Sequence, residues 1–247
     1  MADDAPPMRT GWELDAPASD TLLRTFVVSF ENWITDTATA MGAPVRDNDV
    51  LAMDPGSPIF FLNGALTRHP LDADAAPAIA ESAQQFFCER AGGPFVIMSM
   101  WPTPDLAPLG FELVGHPPFM FRPVGSPAPP PPRELEIVEV HDGATLEAYE
   151  QTLVEGFEFG VDAPPGTAAP LGLLEIPAWR MWVGFVDGRA VATSAAHVVH
   201  GVNRVEWVSV LADVRGRGYG EAITWAATVA DRQLPAMLFS SDLGRPT

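Results

Sequence analysis

The sequence of 247 residues contains no lysine, one cysteine and two tyrosines, and its apolar runs are all short. Without lysine it cannot form a P-loop, in which a Gly-Lys-Ser/Thr segment reaches the phosphates of a nucleotide. The single cysteine, Cys88, excludes an intrachain disulfide and is typical of the reducing cytoplasm, where we expect the protein to be located. We expect its thiol to be buried on a helix. No apolar run is long enough for a membrane span, and no Cys/His spacing indicates a metal site.

The charged residues are strongly unbalanced. The chain has 32 acidic residues against 14 basic ones, all of them arginines, and a formal net charge of −18. Such a surface repels nucleic acid and anionic lipid, so we expect neither as a partner. It would attract cationic amines or basic peptides, although an acidic surface also serves solubility alone.

The segment around Arg215 organises the rest of the chain. Residues Arg204–Leu211, rich in valine and tryptophan, are typical of a strand. Apolar residues recur at helical spacing from Tyr219 onward. Between the two lies the turn Arg215–Gly220, with the sequence Arg-Gly-Arg-Gly-Tyr-Gly. The unpaired amides of a first helical turn, the helix dipole and the small size of glycine together favour a phosphate or diphosphate at such a junction.

The spacing of the glycines distinguishes between phosphate-binding families. Gly216, Gly218 and Gly220 lack the final glycine or alanine of the dinucleotide-binding fingerprint. The pattern Arg-Gly-x-Gly-x-Gly, separated by four residues from a Val-x-Val strand end, instead resembles the acyl-CoA signature of the GNAT superfamily of N-acetyltransferases. This resemblance implies that the turn amides hold the diphosphate of acetyl-CoA and that the strand backbone holds its pantetheine and acetyl groups. The residues that it assigns to acetyl-CoA are Val208, Ser209, Val210, Arg215, Gly216, Arg217, Gly218, Tyr219 and Gly220.

Hydrophobic periodicity predicts alternating helices and strands. Their order resembles that of the GNAT fold, which implies an α/β architecture with a mixed, mostly antiparallel sheet flanked by helices. The proline-rich residues 125–133 predict a stiff linker that divides the chain into halves 1–124 and 134–247. The predicted helices are Asp20–Gly42, Asp72–Arg90, Gly143–Phe157 and Tyr219 to about Arg232. The predicted strands are Pro58–Leu66, Pro94–Trp101, Glu112–Arg122, Glu134–Val140, Trp179–Val186, Ala190–Val199, Arg204–Leu211 and Pro235–Ser240.

The two halves resemble each other in outline. In the first half, Thr67–Asp72 takes the place of the glycine-rich turn, and it contains proline instead of glycine. We therefore interpret residues 1–124 as a degenerate GNAT-like half without a CoA site. The second half ends at Thr247, before the helix and two strands with which GNAT domains usually close. Either the chain is shortened there, or the missing strands come from the first half of the same chain or of a partner in a homodimer.

Acetyl transfer from a thioester to an amine requires a base, a donor to the oxyanion and a proton for the thiolate. The position of Val210 in the motif makes its backbone amide the candidate oxyanion donor. Glu206 is the candidate base, and strand alternation would direct its side chain to the same face as that of Val208. The alternative role for Glu206 is an ion pair with an arginine. GNAT enzymes often use a tyrosine of the missing segment as the acid, whereas the tyrosines here are Tyr149 and Tyr219.

Three acids, Glu155, Glu158 and Asp162, lie at a helix end before a loop rich in proline and glycine. In GNAT proteins the matching region helps to form the acceptor site, so they are candidates for binding a cationic amine. The alternative is an ordinary solvated helix end. The sequence thus predicts an N-acetyltransferase that moves acetyl from acetyl-CoA directly to a primary amine of a small molecule or peptide, without a metal. A non-catalytic CoA-binding or structural protein is the alternative.

Overall fold

The computed structural model describes residues 17–89, 93–125, 127–158, 160 and 162–240. This part of the chain forms two mixed sheets with helices packed against them, which confirms the predicted α/β class. Its helices are α1 (Leu22–Met41), α2 (Ala76–Cys88), α3 (Gly143–Phe157) and α4 (Tyr219–Thr228). Its strands are β1 (Val45–Asp47), β2 (Val50–Met53), β3 (Gly64–Thr67), β4 (Val96–Met98), β5 (Phe119–Arg122), β6 (Glu136–Glu139), β7 (Trp179–Val186), β8 (Arg189–Val199), β9 (Val202–Val210) and β10 (Ala236–Phe239).

The smaller sheet has four strands in the order β1-β2-β3-β4. Strands β1, β2 and β3 are antiparallel neighbours, and α2 then connects β3 to the parallel strand β4. Helix α2 covers one face of this sheet, where Phe86 and Phe87 pack against Val50 and Ala52. The other face of the sheet is turned toward α1.

The larger sheet has six strands in the order β5-β10-β9-β8-β7-β6. Strands β6 to β9 are antiparallel neighbours, and α4 connects β9 to the parallel strand β10. Strand β5, which precedes the proline-rich linker, pairs with β10 in the antiparallel direction, from Phe119 opposite Phe239 to Arg122 opposite Ala236. The first half of the same chain thus supplies a strand to the second half, which is one of the alternatives raised by the sequence.

Helix α1 joins the two halves through a common core. It starts at Thr21, whose hydroxyl accepts a hydrogen bond from the Arg24 amide, and it ends at Gly42 in the left-handed conformation. Its buried face packs against Leu51 and Met53 of the smaller sheet and also against side chains of β7, β8 and β9. Because one apolar core is shared by both sheets, each sheet depends on the other half of the chain for burial.

Several local predictions need correction. The segment between Gly42 and Pro58, for which no strand was predicted, contains the hairpin β1–β2, and Phe60–Leu62 is a 3₁₀ turn within a predicted strand. Cys88 is exposed, not buried, because it lies off the stripe of α2 that faces the sheet. None of the helices within the described residues has both the length and the apolar character that crossing a membrane requires.

Candidate functional site

Strands β9 and β10 begin as a parallel pair and then separate. They are paired only at Asn203 with Ala236 and at Arg204 with Met237. Strand β9 nevertheless continues to Val210 and β10 to Phe239. A gap therefore opens between the carboxyl-terminal ends of the two strands, where ligands commonly bind in sheets with parallel strands.

The backbone of β9 presents polar groups to this gap. The Leu211 amide donates a hydrogen bond of 3.0 Å to the Val191 carbonyl of β8. Since backbone groups alternate in direction along a strand, the amide of Val210 points away from β8 and toward the gap. Its direction agrees with the role of oxyanion donor that the sequence predicts, and that role stays a prediction.

The glycine-rich turn lies at the end of the gap. Gly216 and Gly218 have φ angles of +78° and +83°. Residues other than glycine, asparagine and aspartate rarely adopt such backbone angles. None of the five amides from Gly216 to Gly220 donates a hydrogen bond to another described residue. A Cβ atom on Gly220 would lie 3.3 Å from Val210 Cγ2, so glycine also permits α4 to approach β9. The turn thus offers a cluster of free amides at the positive end of a ten-residue helix.

Arg215 is not directed at the turn amides. Its Nε donates to the Val210 carbonyl at 3.1 Å, and its Nη2 donates to the Gly156 carbonyl at 2.8 Å. Both terminal nitrogens also lie 3.2 Å from Glu158 Oε2. The guanidinium therefore connects the ends of α3 and β9, and the predicted role of Arg215 in binding acetyl-CoA stays a prediction.

Three other residues assigned to the cofactor have distinct orientations. Arg217 is exposed, and within the described residues its guanidinium forms no hydrogen bond or ion pair, although its charge helps to lower the pKa of the nearby Asp213. The Tyr219 side chain is buried and its hydroxyl donates to Glu134 Oε1 at 3.1 Å, which leaves only its backbone amide for a ligand. The Ser209 hydroxyl donates to the Thr152 carbonyl of α3. Sequence spacing alone did not indicate these directions.

A bulge in β9 changes the face on which Glu206 lies. The register against β8 shifts between Thr193 and Ala195, and Trp207 has a φ of +52°. As a result Glu206 pairs with Arg204 on the face covered by α1 and α3, whereas Val208 packs on the opposite face with α4. The expectation that Glu206 and Val208 share a face is therefore wrong, because simple alternation does not continue through a bulge.

Glu206 lies within a buried polar group. Its Oε1 is 2.5 Å from Arg204 Nε, and its side chain is 18% exposed. Burial raises the pKa of Glu206, and the attraction of the Arg204 guanidinium opposes this rise. Tyr149 of α3 is completely buried nearby, and burial together with the charge of Glu206 raises the pKa of its hydroxyl. The sequence placed Tyr149 only within the predicted helix Gly143–Phe157, so it gave no sign of this arrangement.

The three acids predicted to bind the acceptor differ in their surroundings. Glu158 is paired with Arg215, and it adopts a φ of +54° at the end of α3. Glu155 is exposed and lines a shallow depression together with Glu147. Asp162 is exposed on the following loop. A role for Glu155 or Asp162 in acceptor binding stays a prediction, whereas Glu158 has a structural partner.

Comparisons with known proteins agree on the fold. No protein family model and no curated protein matches the sequence. A GCN5-related N-acetyltransferase from Kribbella flavida is similar over 88% of this chain and 88% of its own length, with 18% identity and a TM-score of 0.60. A putative acetyltransferase of the GNAT family from Novosphingobium aromaticivorans matches 85% of this chain and 83% of its own, with 15% identity and a TM-score of 0.48.

A match to part of the chain is also found. An aminoglycoside acetyltransferase from an uncultured soil metagenomic sample is similar over 44% of this chain and 80% of its own, with 12% identity and a TM-score of 0.40. At such identities a structural likeness concerns the fold alone. The conclusion on the fold rests on the Kribbella flavida protein, whose TM-score of 0.60 is the highest of the three. The chain therefore has the fold of the GCN5-related N-acetyltransferases, as the pattern of glycines after β9 implied.

Proposed function

We propose that this protein is an N-acetyltransferase that transfers acetyl from acetyl-CoA directly to a primary amine. The observation that carries the proposal is the gap between β9 and β10, which ends at the free amides of Gly216–Gly220. The diphosphate of CoA fits these amides and the exposed guanidinium of Arg217. The pantetheine would then extend along the backbone of β9 toward Val210.

The chemistry requires the groups found around β9. The amine nitrogen attacks the thioester carbonyl carbon, so a C–N bond forms and the C–S bond breaks. One proton leaves the nitrogen, and the CoA thiolate takes up one proton. We assign the first proton to the Glu206 carboxylate and the stabilisation of the oxyanion to the Val210 amide. The raised pKa of Glu206 suits a base that works near neutral pH.

The first half is proposed to lack a second CoA site. At the start of α2, where the corresponding turn lies, the Asp72 carboxylate accepts hydrogen bonds from the amides of Asp74 and Ala75 at 3.0 and 2.7 Å. A carboxylate of the protein therefore occupies the place of an anionic ligand. Both halves contain the sequence of three antiparallel strands, a helix and a parallel strand, which supports a tandem origin.

A second candidate function is CoA binding without catalysis. It is favoured by the tyrosines, since neither hydroxyl is placed to protonate a thiolate in the gap. Tyr219 donates to Glu134, and the hydroxyl of Tyr149 is buried. Both candidates predict binding of acetyl-CoA, but only an enzyme releases CoA thiol when an amine is added.

The test is calorimetric titration of acetyl-CoA into the wild-type protein and into the Gly218→Asp and Gly218→Asn variants. Asparagine and aspartate have the same shape and both tolerate a positive φ, so the two variants differ mainly in charge. We expect Gly218→Asp to weaken binding by about 10- to 100-fold, as for a lost charge-assisted hydrogen bond, and Gly218→Asn to weaken it much less.

The outcomes separate the alternatives. Equal loss in both variants would mean that the turn does not hold the diphosphate and that only its conformation matters. Absence of binding by the wild-type protein would reject both candidate functions. Binding without thiol release from a broad panel of primary amines would favour the non-catalytic one.

A further inference from the structure

A group of buried hydrogen-bond donors without acceptors lies on the face of the larger sheet that carries Glu206. The group comprises Trp33 Nε1 of α1, the Tyr149 hydroxyl of α3, Trp179 Nε1 of β7 and Arg204 Nη1 of β9. None of these atoms has a hydrogen-bond partner among the described residues, and the four side chains, which we call the donor cluster, are at most 6% exposed. Buried polar groups in proteins are normally paired, so their accumulation at one place calls for an explanation.

The donor cluster forms one continuous region. The Trp33 ring centroid lies 6.3 Å from that of Trp179 and 6.2 Å from that of Trp207. The rings of Trp179 and Trp207 are stacked at 4.7 Å. The Arg204 guanidinium lies 3.8 Å from the centre of the Phe30 ring, which in turn packs against Trp33. Trp33, Trp179 and Arg204 therefore lie among aromatic rings, and Tyr149 adjoins them through Glu206, whose charge acts on its hydroxyl.

The cluster adjoins the proposed base. Glu206 contacts Arg204 and is 18% exposed, so it connects the buried donors with solvent. A guanidinium carries five N–H donors, and the contact through Nε leaves the Nη1 donors of Arg204 unused. The raised pKa of Tyr149 keeps its hydroxyl protonated and able to donate.

The balance of donors and acceptors indicates the chemistry of a ligand. Four donors lack partners, whereas acceptors near them are few: Glu206 already faces Arg204, and His197 Nδ1, whose ring lies against Trp179, is a single unpartnered position. A polycationic amine would add further donors and leave this imbalance unchanged. A carboxylate provides two oxygens with about four acceptor positions, and an apolar portion would fit the indole walls.

We propose that the donor cluster is the acceptor subsite and that it recognises an amine bearing a carboxylate, as in an apolar or aromatic α-amino acid. The cluster binds the carboxylate, and the amino group lies at Glu206. This inference rests on the proposed function, because it names the acceptor of that acetyl transfer. It places the acceptor on the face covered by α1 and α3, away from the exposed acids at the end of α3.

The first test compares matched amines as acceptors in thiol release from acetyl-CoA. L-phenylalanine is paired with 2-phenylethylamine, and L-leucine with 3-methylbutylamine, so that each pair differs only in the carboxylate. We expect kcat/KM to be at least about tenfold higher for the amino acid of each pair. Equal or faster reaction of the decarboxylated amines, or preference for the aminoglycoside kanamycin, would overturn the proposal.

The second test uses the Tyr149→Phe variant, which removes one unpaired hydroxyl and keeps the ring. We expect KM for L-phenylalanine to rise at least about threefold, with KM for 2-phenylethylamine and the affinity for acetyl-CoA unchanged. A merely structural role would leave both KM values unchanged, because no partner of the hydroxyl is lost. Trp182→Phe is the control, since Trp182 packs on the opposite face of the sheet with α4.

A binding measurement keeps this inference separate from the proposed function. L-phenylalanine and 2-phenylethylamine are titrated into the wild-type protein without acetyl-CoA. Tighter binding of L-phenylalanine by at least about tenfold would support the subsite even if acetyl-CoA failed to bind and the proposed function were rejected. Absence of L-phenylalanine binding would overturn the subsite even if acetyl-CoA bound normally.

Discussion

His197 of β8 has a completely buried imidazole that lies between an indole and a carboxylate. Its ring centroid is 5.0 Å from that of Trp179, and Nε2 lies 2.8 Å from Asp36 Oδ2 of α1. Burial lowers the pKa of His197 from 6.5 to about 4, although the hydrogen bond to Asp36 opposes this change. The imidazole is therefore neutral in the folded protein at pH values where it is protonated in the unfolded chain.

This difference predicts a loss of stability in mild acid. Between about pH 6.5 and pH 4 the unfolded chain binds a proton that the native imidazole does not, so the free energy of unfolding falls as the pH falls. A shift of this size corresponds to a loss of up to about 3 kcal/mol. Urea unfolding of the wild-type protein and of His197→Gln at several pH values measures this loss of free energy of unfolding.

The variant isolates the contribution of His197 from that of the carboxylates. Glutamine retains a hydrogen bond to Asp36 but does not titrate, so we expect its stability to depend less on pH over this range. Carboxylates with lowered pKa, such as Glu139 beside Arg180, destabilise both proteins equally at more acidic pH. Parallel curves for the two proteins would contradict the prediction.

The side chains around the proposed base show what residue-level sequence reasoning misses. The glycine pattern correctly located a turn with free amides, because backbone conformation there depends on the glycines themselves. The direction of Glu206 was predicted wrongly, since the bulge at Trp207 arises from pairing with β8. Arg204 is buried against Phe26 and Phe30 of α1, and no local pattern around Arg204 indicates that contact.

At the scale of elements, α3 crosses β9 at a glycine. A Cβ atom on Gly156 would lie 2.0 Å from Ser209 Oγ and 3.3 Å from the backbone carbonyl of Val210. The Gly156 carbonyl also accepts the hydrogen bond from Arg215 Nη2. The absence of a side chain therefore sets the distance between α3 and the strand that lines the gap.

We expect Gly156→Ala to reduce the free energy of unfolding by about 1–3 kcal/mol, as in other overpacked contacts. Adding Ser209→Ala removes the conflicting Oγ and should restore part of the loss. Gly143→Ala in the first turn of α3 is the matched control, because the new Cβ would meet only Leu171 Cδ2 at an ordinary 3.6 Å. Urea unfolding compares the proteins, and equal stability of Gly156→Ala and Gly143→Ala would refute this account.

The sequence predicted elements well where their ends have strong local signals. Helix α3 begins and ends at the predicted residues, and its start is fixed by Asp142, whose carboxylate accepts the Thr145 amide at 2.8 Å. Strand β7 also matches, because Asp187-Gly188 marks the hairpin that follows it. Strands β1 and β2 were missed because three or four residues are too few to show a period.

At the scale of the whole molecule, strand β5 from the first half completes the sheet of the second half. Strand β10 would be an open edge without β5, and β5 lies more than a hundred residues before it in the chain. Pairing over such a distance leaves no local pattern, so the sequence could offer only alternatives. The shared core around α1 likewise leaves no local pattern in the sequence, since buried side chains of the two halves pack against each other.

The net charge of −18 also acts on the whole molecule. Ion pairs such as Arg189 with Asp213 and Arg180 with Glu139 stabilise the fold locally. Exposed pairs contribute little, because water and salt screen them. The 14 arginines cannot pair with all 32 acids, so the remaining carboxylates repel one another in the compact state. Repulsion between unpaired acids extends over longer distances than the attraction within pairs, and it is therefore the effect that salt weakens most.

The protein should consequently become more stable when salt is added. Raising NaCl from about 0.01 M to about 0.15 M shortens the screening length from about 30 Å to about 8 Å, and we expect Tm to rise by about 2–4 °C. Neutralising three exposed acids in separate parts of the chain (Asp49→Asn, Glu81→Gln and Glu147→Gln together) should raise Tm at low salt and reduce the response to NaCl. A Tm that falls with NaCl would mean that the ion pairs outweigh the general repulsion. Calorimetric scans of the wild-type protein and the triple variant across the salt series distinguish general repulsion from ion-pair attraction. Only the repulsion depends on the number of unpaired acids.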